Sequence, residues 1–182
     1  MRSIREIFKN EALNFTPWLS KNLCKLTQVI HTDLILLSTE KDIEGKKLDI
    51  MAQEEGGNIV AIENQFGVSD FKHLGQIISY AMGSNASKII WISERFHKIH
   101  LDALEWLNTN KDSMKFDAIS VINPDSNVDK DQIYFREPIL YDEVIIGEKL
   151  DAHNQDDKVV VDEELQNLIQ KYQAEEKKRK TY

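Results

Sequence analysis

The spacing of apolar residues changes near residue 33. Before it, Leu19, Leu23, Leu26 and Ile30 recur at i, i+4, i+7 and i+11, one face of a helix. Thr16 reads as its N-cap, with Pro17 at the first helical position. Upstream, Ser3-Ile4-Arg5-Glu6 has the form of a capping box and predicts a helix running to about Leu13. Beyond residue 33 the period shortens. Runs at 34–39, 47–53 and 59–66 read as strands, punctuated by Gly45 and by Gly56-Gly57. A helix over 69–82, a strand over 88–92, a helix over 98–108 and a strand over 116–122 complete an α-α-β-β-β-α-β-α-β order. The stretch 123–157 carries little pattern, and "NPDSNVDKDQ" is a loop. Residues 161–180 predict a last helix with Leu165, Leu168, Ile169 and Tyr172 on one side, ending in a solvated "EEKKRK". The expected organisation is one α/β domain over 1–150 and a tail over 151–182.

The third strand run, "IVAIENQF", is apolar except where Glu63, Asn64 and Gln65 enter it. If Glu55-Gly56-Gly57 is a three-residue hairpin loop, Glu54 pairs with Asn58, Ala52 with Val60 and Ile50 with Ile62. Asp49 then lies opposite Glu63, their Cβ atoms about 5 Å apart. Gln65 and Lys47 share that face, and a slip of one residue would destroy the match. Two opposed carboxylates repel. A shared proton, a lysine such as Lys46 or Lys47, or a hard divalent cation (Mg²⁺, Mn²⁺ or Ca²⁺) could each offset the repulsion. In the helix that follows, Phe71, Leu74, Ile77, Ile78 and Ala81 form the apolar face. His73, Gln76 and Tyr80 fall together opposite it.

Composition adds bounds. The 182 residues are 41% hydrophobic and 30% charged, proportions of a soluble globular chain. No apolar run approaches the length needed to span a bilayer, and "MRSIREIFKNEAL" does not read as a secretory signal. One cysteine, Cys24, excludes an internal disulfide framework, so a reduced, cytoplasmic protein is expected. A net charge of −8 weighs mildly against a broad phosphate-binding surface. His97 and His100 read as helix surface, Trp91 and Trp106 as core, and Cys24 as packed or inert. Trp18 falls at the start of its helix, beside the expected cleft.

A helix, a three-stranded meander, a helix and a strand, with Asp on one strand and Glu-x-Gln on the next, resemble the PD-(D/E)XK nuclease superfamily. The matching motifs are "LDIM" with Asp49, "IENQ" with Glu63 and Gln65, and "HLGQIISYA" with Gln76 and Tyr80. Together with "NEALNFTPWL" they are similar to an uncharacterised bacterial group of that superfamily. The resemblance covers about residues 4 to 122. It implies a restriction-endonuclease-like αβββαβ core, a central mixed sheet flanked by helices. It further implies a metal-dependent nuclease in which Asp49 and Glu63 hold Mg²⁺ or Mn²⁺ and Glu11 completes the metal site. Gln65, Gln76 and Tyr80 would join the chemistry; Lys47, His73 and Trp18 would meet the substrate. Gln65 stands where most members carry lysine; it can position water by hydrogen bonding but brings no charge. The expected partner is nucleic acid, with DNA favoured, in bacterial or phage defence or repair. A homodimer or a larger defence or repair partner would supply basic surface. Two alternatives stay open: a non-catalytic nucleic-acid-binding or regulatory module, and a plain interaction domain.

Overall fold

The computed structural model describes residues 3–110, 114–124 and 130–141. A mixed six-stranded sheet runs in the order β1 (Leu34–Ile43), β2 (Lys46–Glu54), β3 (Ile59–Asn64), β4 (Lys88–Ser93), β5 (Lys115–Ile122) and β6 (Tyr134–Arg136). The first three form an antiparallel meander, β3, β4 and β5 are parallel, and β6 returns antiparallel. Both hairpins are built by left-handed residues. Glu44 and Gly45, at φ 51° and 86°, close β1 onto β2, and Gly57 at φ 88° ends the three-residue loop into β3. This is the expected mixed α/β core, and Ile50↔Ile62 and Ala52↔Val60 hold in register.

Both faces of the sheet are covered. On one, α1 (Ile4–Phe8), the π turn before α2, and α2 (Thr16–Ser20) set Ile4, Phe8, Phe15 and Leu19 against Ile50, Val60, Ile62 and Ile90. On the other, α4 (Phe71–Gly83) and α5 (Lys98–Asn110) set Ile77, Tyr80 and Leu104 against Met51, Ala61, Ile89 and Trp91. The strand carrying Glu63 therefore has no outer face. Its polar residues are buried at the end of the sheet. Parallel strands covered on both sides read as continuous apolar runs, as "KIIWI" does.

The amino-terminal helices are shorter than their periodicity predicts. Ser3 caps α1, accepting from Arg5 N at 3.2 Å, but Lys9 turns left-handed at φ 62° and ends it at Phe8. Asn10 then caps a new start, its Oδ1 accepting from Leu13 N at 2.7 Å. One π turn (Glu11–Phe15) runs straight into α2. The N-cap is thus Asn10 and not Thr16, which is wholly buried. The second helix also stops early. Asn22 donates its amide to Trp18 O at 2.8 Å, and a 3₁₀ turn (Leu23–Leu26) leads to α3 (Thr27–Ile30). Cys24 is exposed on that turn.

Three further expectations change. Phe71 and Ile78 are 58% and 40% exposed, because α4 turns its Gln76/Tyr80 side inward along with Ile77 and Ala81. Trp106 is 65% exposed rather than core. His100 is buried, hydrogen-bonded through Nδ1 to Ser69 Oγ at 2.7 Å. The helix expected over 161–180 lies outside the described residues. Among the described residues, no helix is long and apolar enough to cross a membrane.

Candidate active site

The β2–β3 ladder ends at Ile50↔Ile62, one residue short of Asp49 and Glu63. Side-chain bonds take over there. Asp49 Oδ2 accepts the backbone N–H of Asn64 at 2.8 Å, and its Oδ1 accepts from Thr16 Oγ1 at 3.3 Å. Asn64 Nδ2 in turn donates to Thr16 Oγ1 at 3.0 Å. These bonds fix Asp49 beside Asn64, the residue that follows Glu63.

Glu63 is reached from α4. Gln76 Nε2 stands 3.3 Å from Glu63 Oε1 and 3.3 Å from Tyr80 Oη, and Tyr80 Oη donates to Lys47 O at 2.7 Å. Four acceptor oxygens here are buried without a partner among the described residues: Glu63 Oε2, Gln76 Oε1, Asn64 Oδ1 and Glu40 Oε1. A buried polar atom left unpaired costs about 1–3 kcal/mol, so water, a proton or an ion would stabilise this cluster.

Electrostatics point the same way. Burial, then the charges of Asp49 and Glu11, push the Glu63 carboxyl up to about 9. Burial also raises Asp49, to about 7, against the lowering effect of the Asn64 N–H; Glu11 and Glu40 add to the rise. Glu11 is raised by burial as well, opposed by the bond from Phe66 N to its Oε2 at 2.6 Å. Among the described residues, no lysine or arginine pairs with Asp49 or Glu63. That leaves a proton or a cation to offset the repulsion. Tyr80, pushed up to about 12 by burial and then by Glu63, stays a neutral hydrogen-bond donor at working pH.

The other expected site residues make contacts of their own. Gln65 is buried with its amide committed elsewhere: Nε2 donates to Val68 O at 2.7 Å and Asp70 Oδ2 at 2.9 Å, and Oε1 accepts from Trp91 Nε1 at 3.1 Å. The Lys47 side chain is exposed, and its carbonyl serves Tyr80. Trp18 packs with Phe8 and Phe15 at centroid distances of 5.1 and 5.8 Å, in the core on the first sheet face. His73 stands one turn before Gln76, its Nδ1 2.8 Å from Asp70 Oδ1.

Three further participants, Thr16, Asn64 and Glu40, carry no clear signal in the sequence. Thr16 reads as a cap in the sequence, and Asn64 is the variable residue of Glu-x-Gln. Glu40 lies on β1 between the pairs Thr39↔Ile50 and Lys41↔Leu48, level with Asp49. Its left-handed φ of 51° has no sequence signature in a glutamate.

The donor set suits a hard cation. As they stand, no three His, Cys, Asp or Glu side chains among the described residues form a group able to hold a metal ion. Two carboxylates such as Asp49 and Glu63 could hold only an ion that keeps much of its water, as Mg²⁺ does.

No protein-family model matches the chain, and no curated protein matches it. Among solved structures it is similar in fold to a repair endonuclease from Pyrococcus abyssi, at 17% identity and a TM-score of 0.45, over 56% of this chain and 43% of that one. It is similar to EndoMS in complex with double-stranded DNA at 16% identity and a TM-score of 0.46, over 62% of this chain and 44% of that one. SfsA from Pyrococcus furiosus, in complex with Ca²⁺, shows 12% identity and a TM-score of 0.39, over 69% of this chain and 61% of that one. The chain spans less than half the length of the first two. These likenesses concern the fold alone.

Proposed function

We propose that this chain is a metal-dependent nuclease that hydrolyses phosphodiester bonds in nucleic acid, with DNA as the substrate. The carrying observation is the pair Asp49 and Glu63, buried together with Glu63 Oε2 and Gln76 Oε1 unpaired beside them. In this reading Asp49 and Glu63 hold Mg²⁺ or Mn²⁺. The ion would lower the pKa of a water and draw charge from the phosphate oxygens. The chain's own part is placement. The Asn64 N–H and Thr16 hydroxyl orient Asp49, the Gln76 amide orients Glu63, and Tyr80 ties α4 to β2. Glu11 closes the acidic rim. Lys47, exposed, is free to meet a phosphate. With a net charge of −8, a second copy or a larger defence or repair partner supplies the basic surface that holds the nucleic acid.

One observation favours a second reading, a non-catalytic nucleic-acid-binding module. The Gln65 amide is wholly engaged with Val68, Asp70 and Trp91, and brings neither charge nor a free donor to the carboxylates. Cleavage of plasmid, linear and single-stranded DNA, with and without Mn²⁺, separates the two. The nuclease reading expects Mn²⁺-dependent cleavage that Asp49→Ala and Glu63→Ala abolish while the fold survives. Binding without cleavage by the wild type would favour the module.

A further inference from the structure

The position that resemblance assigns to a lysine holds Gln65, and Gln65 faces a different set of partners. From the buried indole of Trp91 a chain of hydrogen bonds runs outward. Trp91 Nε1 donates to Gln65 Oε1 at 3.1 Å, Gln65 Nε2 donates to Asp70 Oδ2 at 2.9 Å, and Asp70 Oδ1 lies 2.8 Å from His73 Nδ1. The same Oδ1 accepts the His73 backbone N–H at 2.8 Å, so Asp70 caps α4 and clamps the ring at once. Burial pushes Asp70 up, but the bonds from the His73 backbone and ring outweigh it and hold the carboxyl below its ordinary value.

An ionised carboxylate only accepts, so His73 Nδ1 must carry the proton shared with Asp70. Whenever the ring is neutral, Nε2 then carries the lone pair. No hydrogen bond to Nε2 forms among the described residues. The ring is 14% exposed, on the same side of α4 as Gln76, which touches Glu63 one turn later. The charged groups around it are Asp70 before the helix, Lys72 on it, and Glu11 from the π turn, itself within reach of Arg5.

We propose that His73 is the general base of the hydrolysis and that Gln65, acting through Asp70, positions it; the inference rests on the nuclease reading above. The missing lysine is thus replaced by a relay rather than by the glutamine itself. In the reaction, neutral His73 takes a proton from water at Nε2 as the water oxygen bonds to phosphorus. The bond from phosphorus to the leaving sugar oxygen breaks with its electron pair, and that oxygen takes a proton from solvent. Asp70 balances the imidazolium that forms, and His73 then returns its proton to solvent.

The test uses full-length protein, Mn²⁺ and plasmid DNA. His73→Ala should lower kcat by about 10²–10⁴-fold without lowering the melting temperature comparably, and added imidazole should restore part of the rate. A structural role for His73 would give no such rescue. A second readout needs no activity: ¹⁵N NMR should find His73 as the Nδ1–H tautomer in the wild type and lose that preference in Asp70→Ala. Wild-type rates in His73→Ala, a loss that imidazole leaves untouched, or an Nε2–H tautomer in the wild type would each overturn the relay while the nuclease reading stands. A wild type that cleaves no better than Asp49→Ala overturns the nuclease reading, and the base role with it.

Discussion

Asp49 accepts the backbone N–H of Asn64, 2.8 Å from its Oδ2, and so holds a carboxylate next to Glu63 where the strand ladder has just ended. One bond thus stabilises the sheet end while creating a repulsive pair. The carboxyls of Asp49 and Glu63 are raised to about 7 and about 9, chiefly by burial. As pH rises past the unfolded carboxylate range of about 4, the unfolded chain gives up these protons first, so metal-free stability falls until the native values are passed. Asp49→Asn removes one of the two titrations. In EDTA the variant should melt several degrees above wild type near pH 8, with the gap closing towards about pH 5. A gap that stays constant over that range would mean that Asp49 is not raised.

Gln65 separates stability from activity. In Gln65→Leu the buried Trp91 N–H loses its acceptor, which costs about 1–3 kcal/mol, and Asp70 loses its clamp. Gln65→Lys also leaves Trp91 unpaired but can hold Asp70 as an ion pair. Both variants should unfold at lower denaturant than wild type. Only the leucine variant should lose most of the cleavage. Equal rates for wild type and leucine variant would remove Gln65 from the site's support.

Glu40 offers a test with two substitutions. It sits at φ 51°, where a side chain costs roughly 1–3 kcal/mol, and adds to the rise of both Asp49 and Glu63. In EDTA at neutral pH, Glu40→Gln should stabilise by relieving repulsion. Glu40→Gly should stabilise further by relieving backbone strain. Both should bind Mn²⁺ more weakly in calorimetry. Destabilisation by both would mean that the carboxylate makes a contact the fold needs.

The sheet was the most legible part of the sequence, because its register follows from hairpin geometry. Once Gly56-Gly57 sets the loop, Ile50 must meet Ile62; the ladder stops there, and the Asn64 N–H holds Asp49 next to Glu63. What stayed hidden was local. Lys9 at φ 62° and Asn10 as a fresh cap split a stretch that apolar spacing reads as continuous. In α4, too, burial departs from the periodicity. Its apolar residues point both ways, and the polar side is buried because Glu63 and the Lys47 carbonyl give Gln76 and Tyr80 partners. The partners of Gln65 could not be read from spacing, since Trp91 lies one strand away in a parallel crossover. β6 has three residues, too few for alternation to register.

Metal binding can be read without knowing the substrate. A cation that binds only the folded chain stabilises it by RT ln(1 + [L]/Kd), about 2.7 kcal/mol at a hundredfold excess over Kd. At Asp49 and Glu63 the ion would also remove the repulsion that raises both carboxyls, so its effect should grow with pH as they ionise. Wild-type protein should therefore melt several degrees higher in millimolar Mn²⁺ or Mg²⁺ than in EDTA near neutral pH, and gain less near about pH 5. Asp49→Asn keeps an oxygen near the Asn64 N–H but loses the charge, so it should lose most of the response while keeping the fold. Glu63→Gln should do the same. A thermal scan of the three proteins across pH, with EDTA, Mg²⁺ and Mn²⁺, distinguishes a site from a general salt effect, which would move all three alike. If neither ion shifts the wild type, the pair is held by a shared proton alone, and the fold stands without the metal chemistry.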